Sequence, residues 1–188
     1  MSNKKLVVGL AGMPGAGKSV VVNVAMANGY GVVVMGDEVR NEAKKRGLEP
    51  TPENLGRIML ELRRLEGEAA IAKRCIPKIA AMTENKVVVD GIRSLAEVEE
   101  FRRNFPKFVL VAVHASPETR FNRLFHRRRS DDPKSWEVFH ERDMRELSVG
   151  LGNAIALAEY MIVNEEGLDA IKRRAAEVLR GIEAKWMR

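Results

Sequence analysis

The chain has 188 residues, a length that fits one domain. Apolar residues make up 45% and charged residues 31%, so a disordered, collagen-like or low-complexity chain is excluded, and no run of 18 uncharged apolar residues is present to span a membrane. The net charge is +6, but segment 120–129 alone carries five arginines and no acid, and this local basicity suits a multiply anionic ligand better than a general coating of nucleic acid.

Short strand-like runs alternate with helical runs along the chain. Five apolar runs predict buried strands, in chain order 5–11, 31–35, 86–90, 108–114 and 160–163. Helices are predicted over 18–28, 37–46, 52–82 with a break at Gly67, 95–105, from Pro117 onward, 133–147 and 168–185. Such alternation predicts an α/β fold in which helices cover both faces of a parallel sheet.

The carboxyl ends of the strands are where ligands bind in sheets of this kind. The first strand end carries the motif G-x-x-x-x-G-K-[ST], in which small residues let backbone N–H groups wrap a phosphate. Its residues are Gly12, Met13, Pro14, Gly15, Ala16, Gly17, Lys18 and Ser19, and Val20 follows as a further nucleotide contact. We expect Lys18 to reach the β- and γ-phosphates and the Ser19 hydroxyl to ligate Mg²⁺.

Other strand ends supply further candidates. Asp90 ends a run of three valines, where a carboxylate beside a phosphate loop can hold a magnesium-bound water. Gly91 would let an acceptor approach the backbone. Asn164 ends the last strand, and its loop is a candidate contact to adenine. A nucleoside triphosphate and Mg²⁺ are therefore expected at the site. ATP is the expected nucleotide, and the residues leave GTP open as the alternative.

Arginines form the third set of candidates, because guanidinium forks hold phosphate oxygens in pairs. Arg123, Arg127 and Arg129 are the best of the basic segment, with Arg142 completing the ring, in an arginine-rich lid over 120–145. The acids that follow this segment leave open a second interpretation, in which the cluster is a solvated helix face paired with them.

The chain resembles adenylate kinases and other nucleoside monophosphate kinases. The segments that carry the resemblance are 12–19, Gly36-Asp37-Glu38-Val39-Arg40, Asp90-Gly91-Ile92-Arg93, Pro117 to Arg127, and Arg129-Ser130-Asp131-Asp132 followed by Arg142 or Arg145. The resemblance implies that Arg40, with Asp37 beside it, holds an acceptor phosphate. It also implies that Arg123 lies against the base while Arg127 and Arg129 reach the phosphates, and it adds Arg93 to the catalytic residues. Over its whole length the chain is most similar to the archaeal UPF0200 family, whose name supplies no activity.

We therefore expect a three-layer P-loop NTPase fold with a five-stranded parallel sheet, as one kinase-like domain over 1–188. Its region 37–83 would be a helical acceptor-site insert. The chain is too short for an AAA+ module with its helical lid domain and lacks the N-K-x-D motif of GTPases. The expected activity is transfer of the γ-phosphoryl group of Mg·ATP to a nucleoside monophosphate.

Departures from the kinase pattern keep the acceptor open. The proline of D-G-x-P-R is missing before Arg93, and the chain contains no glutamine to read an acceptor base. The helical stretch 47–83 is also longer than an adenylate kinase needs there. Alternatives are a dephospho-coenzyme A kinase and a regulatory ATPase that acts on RNA or ribosomes; nucleotide-sized small molecules are the favoured partners. The single cysteine, Cys75, excludes an intrachain disulfide, and a cytoplasmic protein is expected.

Overall fold

The computed structural model of the chain describes residues 4–127 and 132–186. Five strands form one parallel sheet in the order β2-β3-β1-β4-β5. The strands are β1 (Leu6–Ala11), β2 (Gly31–Val34), β3 (Lys86–Ile92), β4 (Lys107–His114) and β5 (Tyr160–Val163). The expected five-stranded α/β architecture is confirmed.

Nine helices surround this sheet in the described residues. They are α1 (Lys18–Ala27), α2 (Met35–Lys45), α3 (Pro52–Glu66), α4 (Ala70–Ala81), α5 (Leu95–Asn104), α6 (Pro117–Arg127), α7 (Trp136–Ser148), α8 (Leu151–Ala156) and α9 (Leu168–Trp186). Helices α1 and α9 cover one face, while α2 to α5 and α8 cover the other. None of the described helices is both long enough and apolar enough to pass through a bilayer.

The central strand β1 is buried along its whole length between β3 and β4. Its sequence LVVGLA carries apolar residues on both faces, as a parallel strand covered by helices requires. Only glycine fits at position 9, because an added Cβ would lie 2.7 Å from the ring of Phe108. The core thus fixes the strand that leads into the phosphate loop.

Two local predictions are wrong, and one helix has no counterpart among the predicted elements. Met35 begins α2 rather than ending a strand, because Asp37 and Glu38 favour a helix N-terminus and Met35 is buried beneath it. Strand β3 continues past Asp90 to Ile92 through a bulge at Gly91, whose φ of +104° suits glycine. Helix α8 was not predicted at all.

The helical insert follows the expected pattern more closely. Thr51 accepts a hydrogen bond from the backbone N–H of Asn54, so it caps α3, with Pro52 at the first helical position, where the predicted helix 52–82 begins. The predicted break lies at Gly67, which ends α3 with a φ of +93°. The insert therefore consists of three short helices packed on one side of the sheet.

Candidate functional site

A cavity of about 490 Å³ opens at the carboxyl ends of β1 and β3. Strand β1, which leads into the phosphate loop, lies between β3 and β4, and ligands of such sheets bind at the carboxyl ends of the strands. Fourteen residues predicted for the site line it: Gly12, Pro14, Gly15, Gly17, Lys18, Ser19, Val20, Asp90, Gly91, Arg93, Arg123, Arg127, Arg142 and Asn164. Predicted site residues from position 12 to position 164 thus meet in one cavity.

Four other predicted residues lie elsewhere, and one lies outside the described residues. Met13 and Ala16 belong to the loop but do not line the cavity. Asp37 and Arg40 form an exposed ion pair with each other, and the Arg40 guanidinium lies over Gly36, so neither side chain reaches the cavity. Arg129 is the predicted residue that the described ranges leave out.

The phosphate loop is held open by two glycines with left-handed backbone. Gly15 has a φ of +81° and Gly17 a φ of +105°, and Gly17 stands at the N-terminus of α1. Lys18 follows at the first helical position, and its Nζ donates to the carbonyl oxygens of Gly12 at 2.6 Å and Met13 at 3.4 Å. The ammonium group therefore lies inside the loop, where a phosphate would sit against the helix N-terminus.

Burial lowers the pKa of Lys18, although the carboxylates of Asp90 and Glu146 oppose this effect. The nearby guanidinium groups of Arg93 and Arg142 add to it. Polyanionic phosphate oxygens would supply the missing negative charge and stabilise the ammonium form. The electrostatics of the loop thus favour an anionic ligand.

Asp90 faces Lys18 across the cavity. Burial raises the pKa of Asp90, while the positive charges of Lys18 and Arg93 act in the opposite direction. Its Oδ1 is buried and has no hydrogen-bond partner among the described residues. A buried carboxylate oxygen without a partner fits a site that a cation, or a water bound to it, would complete.

Five cationic and two anionic side chains line the cavity among the described residues: Lys18, Arg93, Arg123, Arg127 and Arg142, against Asp90 and Glu146. Arg127 donates from Nε to Asp132 at 3.0 Å, and Arg93 Nε lies 3.1 Å from Glu146 Oε2. The positive excess matches a multiply charged phosphate chain.

Two buried acids in this region, Glu97 and Asp143, were not assigned by sequence reasoning. Glu97 is fully buried and accepts hydrogen bonds of 2.7 Å from the backbone N–H of Arg93 and from Nη2 of Arg63. Asp143 pairs with Arg120, described below. The signal for Glu97 was present as a capping box, since the Ser94 side chain accepts from the Glu97 N–H three residues on.

The apolar wall of the cavity was also missed. Ile92, Leu124, Leu168 and Ile171 line it together with Glu146. Leu168 and Ile171 come from the first turns of α9, directly after Asn164, and offer a surface for the flat face of a base.

Comparisons with known proteins agree with this geometry. Residues 11–140 match a family model described as an AAA domain. The match ends inside α7. The chain is 51% identical to a UPF0200 protein of Hyperthermus butylicus, over 93% of this chain and 94% of the relative. It is 48% identical to one of Methanocaldococcus jannaschii, over 94% and 90%.

Solved structures of similar fold include small kinases. A gluconokinase from Sinorhizobium meliloti has a TM-score of 0.60 at 19% identity, covering 98% of both chains. Shikimate kinase from Acinetobacter baumannii, in complex with shikimate, has a TM-score of 0.60 at 15% identity, covering 99% of this chain and 97% of that one. Protein TT1252 from Thermus thermophilus reaches 0.67 at 18% identity, covering 95% and 98%. By its sequence relatives, its matching domain model and its sheet, the chain belongs to the UPF0200 family of P-loop proteins with a kinase-like fold.

Proposed function

We propose that the protein is a small ATP-dependent kinase, which transfers the γ-phosphoryl group of Mg·ATP directly to a small-molecule acceptor. The observation that carries the proposal is the phosphate loop, with Lys18 inside it, at the base of a cavity lined by four arginines and a buried carboxylate. Phosphoryl transfer needs charge neutralisation and in-line positioning more than acid–base chemistry, and this set of side chains supplies both.

Ser19 and Asp90 fit the protein's share of a magnesium site. Mg²⁺ in such sites takes one or two protein ligands together with phosphate oxygens and waters. The described residues contain no cluster of three His, Cys, Asp or Glu side chains that would bind a metal alone. The unpaired Oδ1 of Asp90 and the exposed hydroxyl of Ser19 at the cavity suit that arrangement. When bound, the ion would neutralise phosphate charge.

The chain's own side chains would act on the transferred group. In this proposal Lys18 would bind the β- and γ-phosphates, and Arg123, Arg127 and Arg142, which line the cavity from α6 and α7, would reach the triphosphate. Arg123 is partly engaged already, since its Nη2 donates to Asn164 at 3.3 Å, while its buried Nη1 has no hydrogen-bond partner in residues 4–127 and 132–186. An incoming phosphate oxygen or base would satisfy that group.

The acceptor would enter beside Gly91. This glycine has only Met35 Cβ within 4 Å of its added Cβ, at 3.7 Å, so the backbone there is approachable. Arg93 adjoins it and is paired with Glu146, which an anionic acceptor would have to displace. A nucleoside monophosphate is the first acceptor to test. Dephospho-coenzyme A is the second, and Arg40 could join the site only by leaving Asp37.

The test is ADP formation from Mg·ATP across a panel of acceptors. The panel contains the nucleoside monophosphates, dephospho-coenzyme A, gluconate and shikimate, the last two because of the similar folds. We expect one acceptor to stimulate turnover strongly, and Lys18→Ala to reduce it about 100-fold or more. Lys172→Ala, on the exposed face of α9, is the matched control and should leave turnover unchanged.

A different result would contradict the kinase proposal for this panel. Mg·ATP binding with slow hydrolysis that no acceptor stimulates, but that RNA changes, would instead identify the regulatory ATPase. Loss of stimulation in Lys172→Ala as well as Lys18→Ala would show that the assay reports folding rather than the phosphate loop.

A further inference from the structure

Arg120 is the one member of the basic segment whose guanidinium the structure buries among described residues. It is 4% exposed. Its Nε donates to the carbonyl oxygen of Ala115 at 3.1 Å, and its Nη1 donates to that of Pro14 at 3.2 Å. It forms a two-pronged pair with Asp143, at 2.9 Å and 2.6 Å, and its Cζ lies 4.9 Å from the ring centre of Phe139.

These contacts engage the guanidinium of Arg120 with the protein rather than with the cavity. Every nitrogen of the guanidinium donates to an oxygen of the protein, and the residue does not line the cavity. Arg120 therefore differs from Arg123 and Arg127 on the same helix, although the sequence presents all three alike. Its partners belong to three different parts of the site: the phosphate loop, the end of β4 and α7.

The elements that Arg120 connects carry the cavity's arginines. Asp143 directly follows Arg142 on α7, and Glu146 lies one turn further along. Arg123 follows Arg120 by one turn on α6. The backbone of α6 also lies against the loop, because an added Cβ on Gly15 would be 2.8 Å from the carbonyl oxygen of Arg120. The guanidinium thus joins the loop that holds phosphates to the helices that would contact them.

We propose that Arg120 and Asp143 form a positioning clamp, which sets the distance from the phosphate loop to the arginines of α6 and α7. The inference rests on the proposed function, because the distance matters only if those arginines act on bound phosphates. Electrostatic stabilisation of a transferring phosphoryl group requires donors held in place beforehand, and misplacement by about 1 Å can cost about 100-fold in rate.

Stability alone does not explain a pair of this kind. Replacing a buried ion pair with apolar residues of similar volume is often neutral or stabilising, whereas removing one partner leaves a buried charge and is strongly destabilising. The double variant Arg120→Met/Asp143→Leu therefore removes the clamp while preserving the packing beside Phe139. Arg120→Lys keeps the charge but loses the fork, and serves as the second variant.

Trp136 offers a direct reporter of the clamp. It is the first residue of α7, and its ring lies 5.3 Å from that of Phe121 on α6 and 5.2 Å from that of Phe139. In a Trp186→Phe background, Trp136 is the only tryptophan. If the clamp couples the loop to α7, filling the loop with Mg·ATP changes Trp136 emission.

The experiment compares three quantities in the wild-type chain, the double variant and Arg120→Lys: the Mg·ATP dissociation constant, the Trp136 response and ADP formation with AMP and the other acceptors. For the double variant we expect a melting temperature near wild type and a dissociation constant within about threefold. We also expect loss of the Trp136 response and a kcat at least about tenfold lower. The Trp136 response and kcat of Arg120→Lys should lie between those of the wild type and the double variant. Arg103 is a surface arginine paired with Glu100, so Arg103→Met should match wild type.

Two results would overturn the clamp. One is an equal change of Trp136 emission on Mg·ATP binding in the wild type and the double variant, and the other is no change in the wild type. A double variant that loses ATP affinity and melting temperature together would show a structural role alone. If no acceptor stimulates the wild-type chain, the kinase proposal fails, and the Trp136 comparison still decides whether the clamp couples loop and helix.

Discussion

The side-chain amide of Asn164 donates a 2.8 Å hydrogen bond from Nδ2 to the carbonyl oxygen of Ala16, inside the phosphate loop. Its Oδ1 accepts from Nη2 of Arg123, and the residue is 5% exposed. Both ends of the amide are therefore engaged within the protein, and the loop after β5 supports the phosphate loop from behind. Contact between this loop and adenine stays a prediction.

Replacing Asn164 tests which of the two hydrogen bonds matters. Asn164→Leu removes both at nearly constant size, and we expect Mg·ATP affinity to fall about tenfold by calorimetry. Asn164→Asp keeps an acceptor for Arg123 but turns a carboxylate oxygen toward the Ala16 carbonyl. If the hydrogen bond to the phosphate loop matters most, Asn164→Asp reduces Mg·ATP affinity as much as Asn164→Leu. Near-normal affinity in Asn164→Asp would show that the hydrogen bond from Arg123 matters instead. Asn153→Leu, at an exposed position of α8, is the control.

Gly17 makes a second, steric prediction. Its φ is +105°, and an added Cβ would lie 2.3 Å from Asn164 Nδ2. Gly29 has a φ of +79° with nothing within 4 Å of its added Cβ, so Gly29→Ala incurs the backbone cost of about 1–2 kcal/mol without a clash. We expect Gly17→Ala to lower the melting temperature further and abolish ATP binding. Partial recovery in Gly17→Ala/Asn164→Ala would confirm the clash; strictly additive effects would contradict it.

Asp90 is expected to trade stability for function. Because burial raises its pKa in the folded chain above the unfolded value, its negative charge destabilises the fold at neutral pH. Asp90→Asn should therefore raise the melting temperature of the metal-free protein, by about 2 °C or more, while greatly reducing Mg-dependent ADP formation. Asp169→Asn, on the surface of α9, should change neither. A lower melting temperature for Asp90→Asn would show that its attraction to Lys18 outweighs burial.

The insert makes the fourth prediction, which concerns pH. Glu42 accepts 2.8 Å hydrogen bonds from Arg74 and Arg46, which lower its pKa and tie α2 to α4. A lowered carboxyl pKa gives stability that is present above the unfolded pKa and is lost as the pH falls through the folded one. Glu42→Gln should reduce stability by about 1 kcal/mol at pH 7.

The stability difference between Glu42→Gln and wild type should shrink as the pH falls below the unfolded carboxyl pKa of about 4.3 and then through the lower folded pKa, where the wild-type carboxyl also loses its charge. Thermal melts at several pH values measure it, with exposed Glu53→Gln as the control. A difference that is constant with pH would assign the effect to packing rather than to charge.

The parts of the site that the sequence predicts are those encoded within short stretches. The strand, loop and helix around Lys18 follow from one eight-residue motif. Asp90 follows from its place after the run of three valines, and Asn164 from its place after β5. Local rules also predict the caps at Thr51 and the break at Gly67. Each of these depends on residues that are neighbours in the chain.

The parts that were missed depend on partners distant in the chain. Nothing local distinguishes Arg120 from Arg123, because its burial depends on Asp143, which lies beyond the basic segment on another helix. The Arg40–Asp37 pair satisfies a guanidinium that the resemblance assigns to an acceptor phosphate. Helix α8 is six residues long, and begins after a left-handed glycine, Gly150, so neither length nor periodicity marked it.

The strand order also has a consequence for biosynthesis. Strand β1 leaves the ribosome first, yet its neighbours β3 and β4 begin only at Lys86 and Lys107, and the loop's support at Asn164 follows β5. At translation rates of about 5–20 residues per second, the apolar strand at the centre of the sheet waits several seconds for partners. A nascent chain therefore cannot complete the candidate nucleotide site early, and mutations that slow closure of the sheet should appear first as aggregation during synthesis.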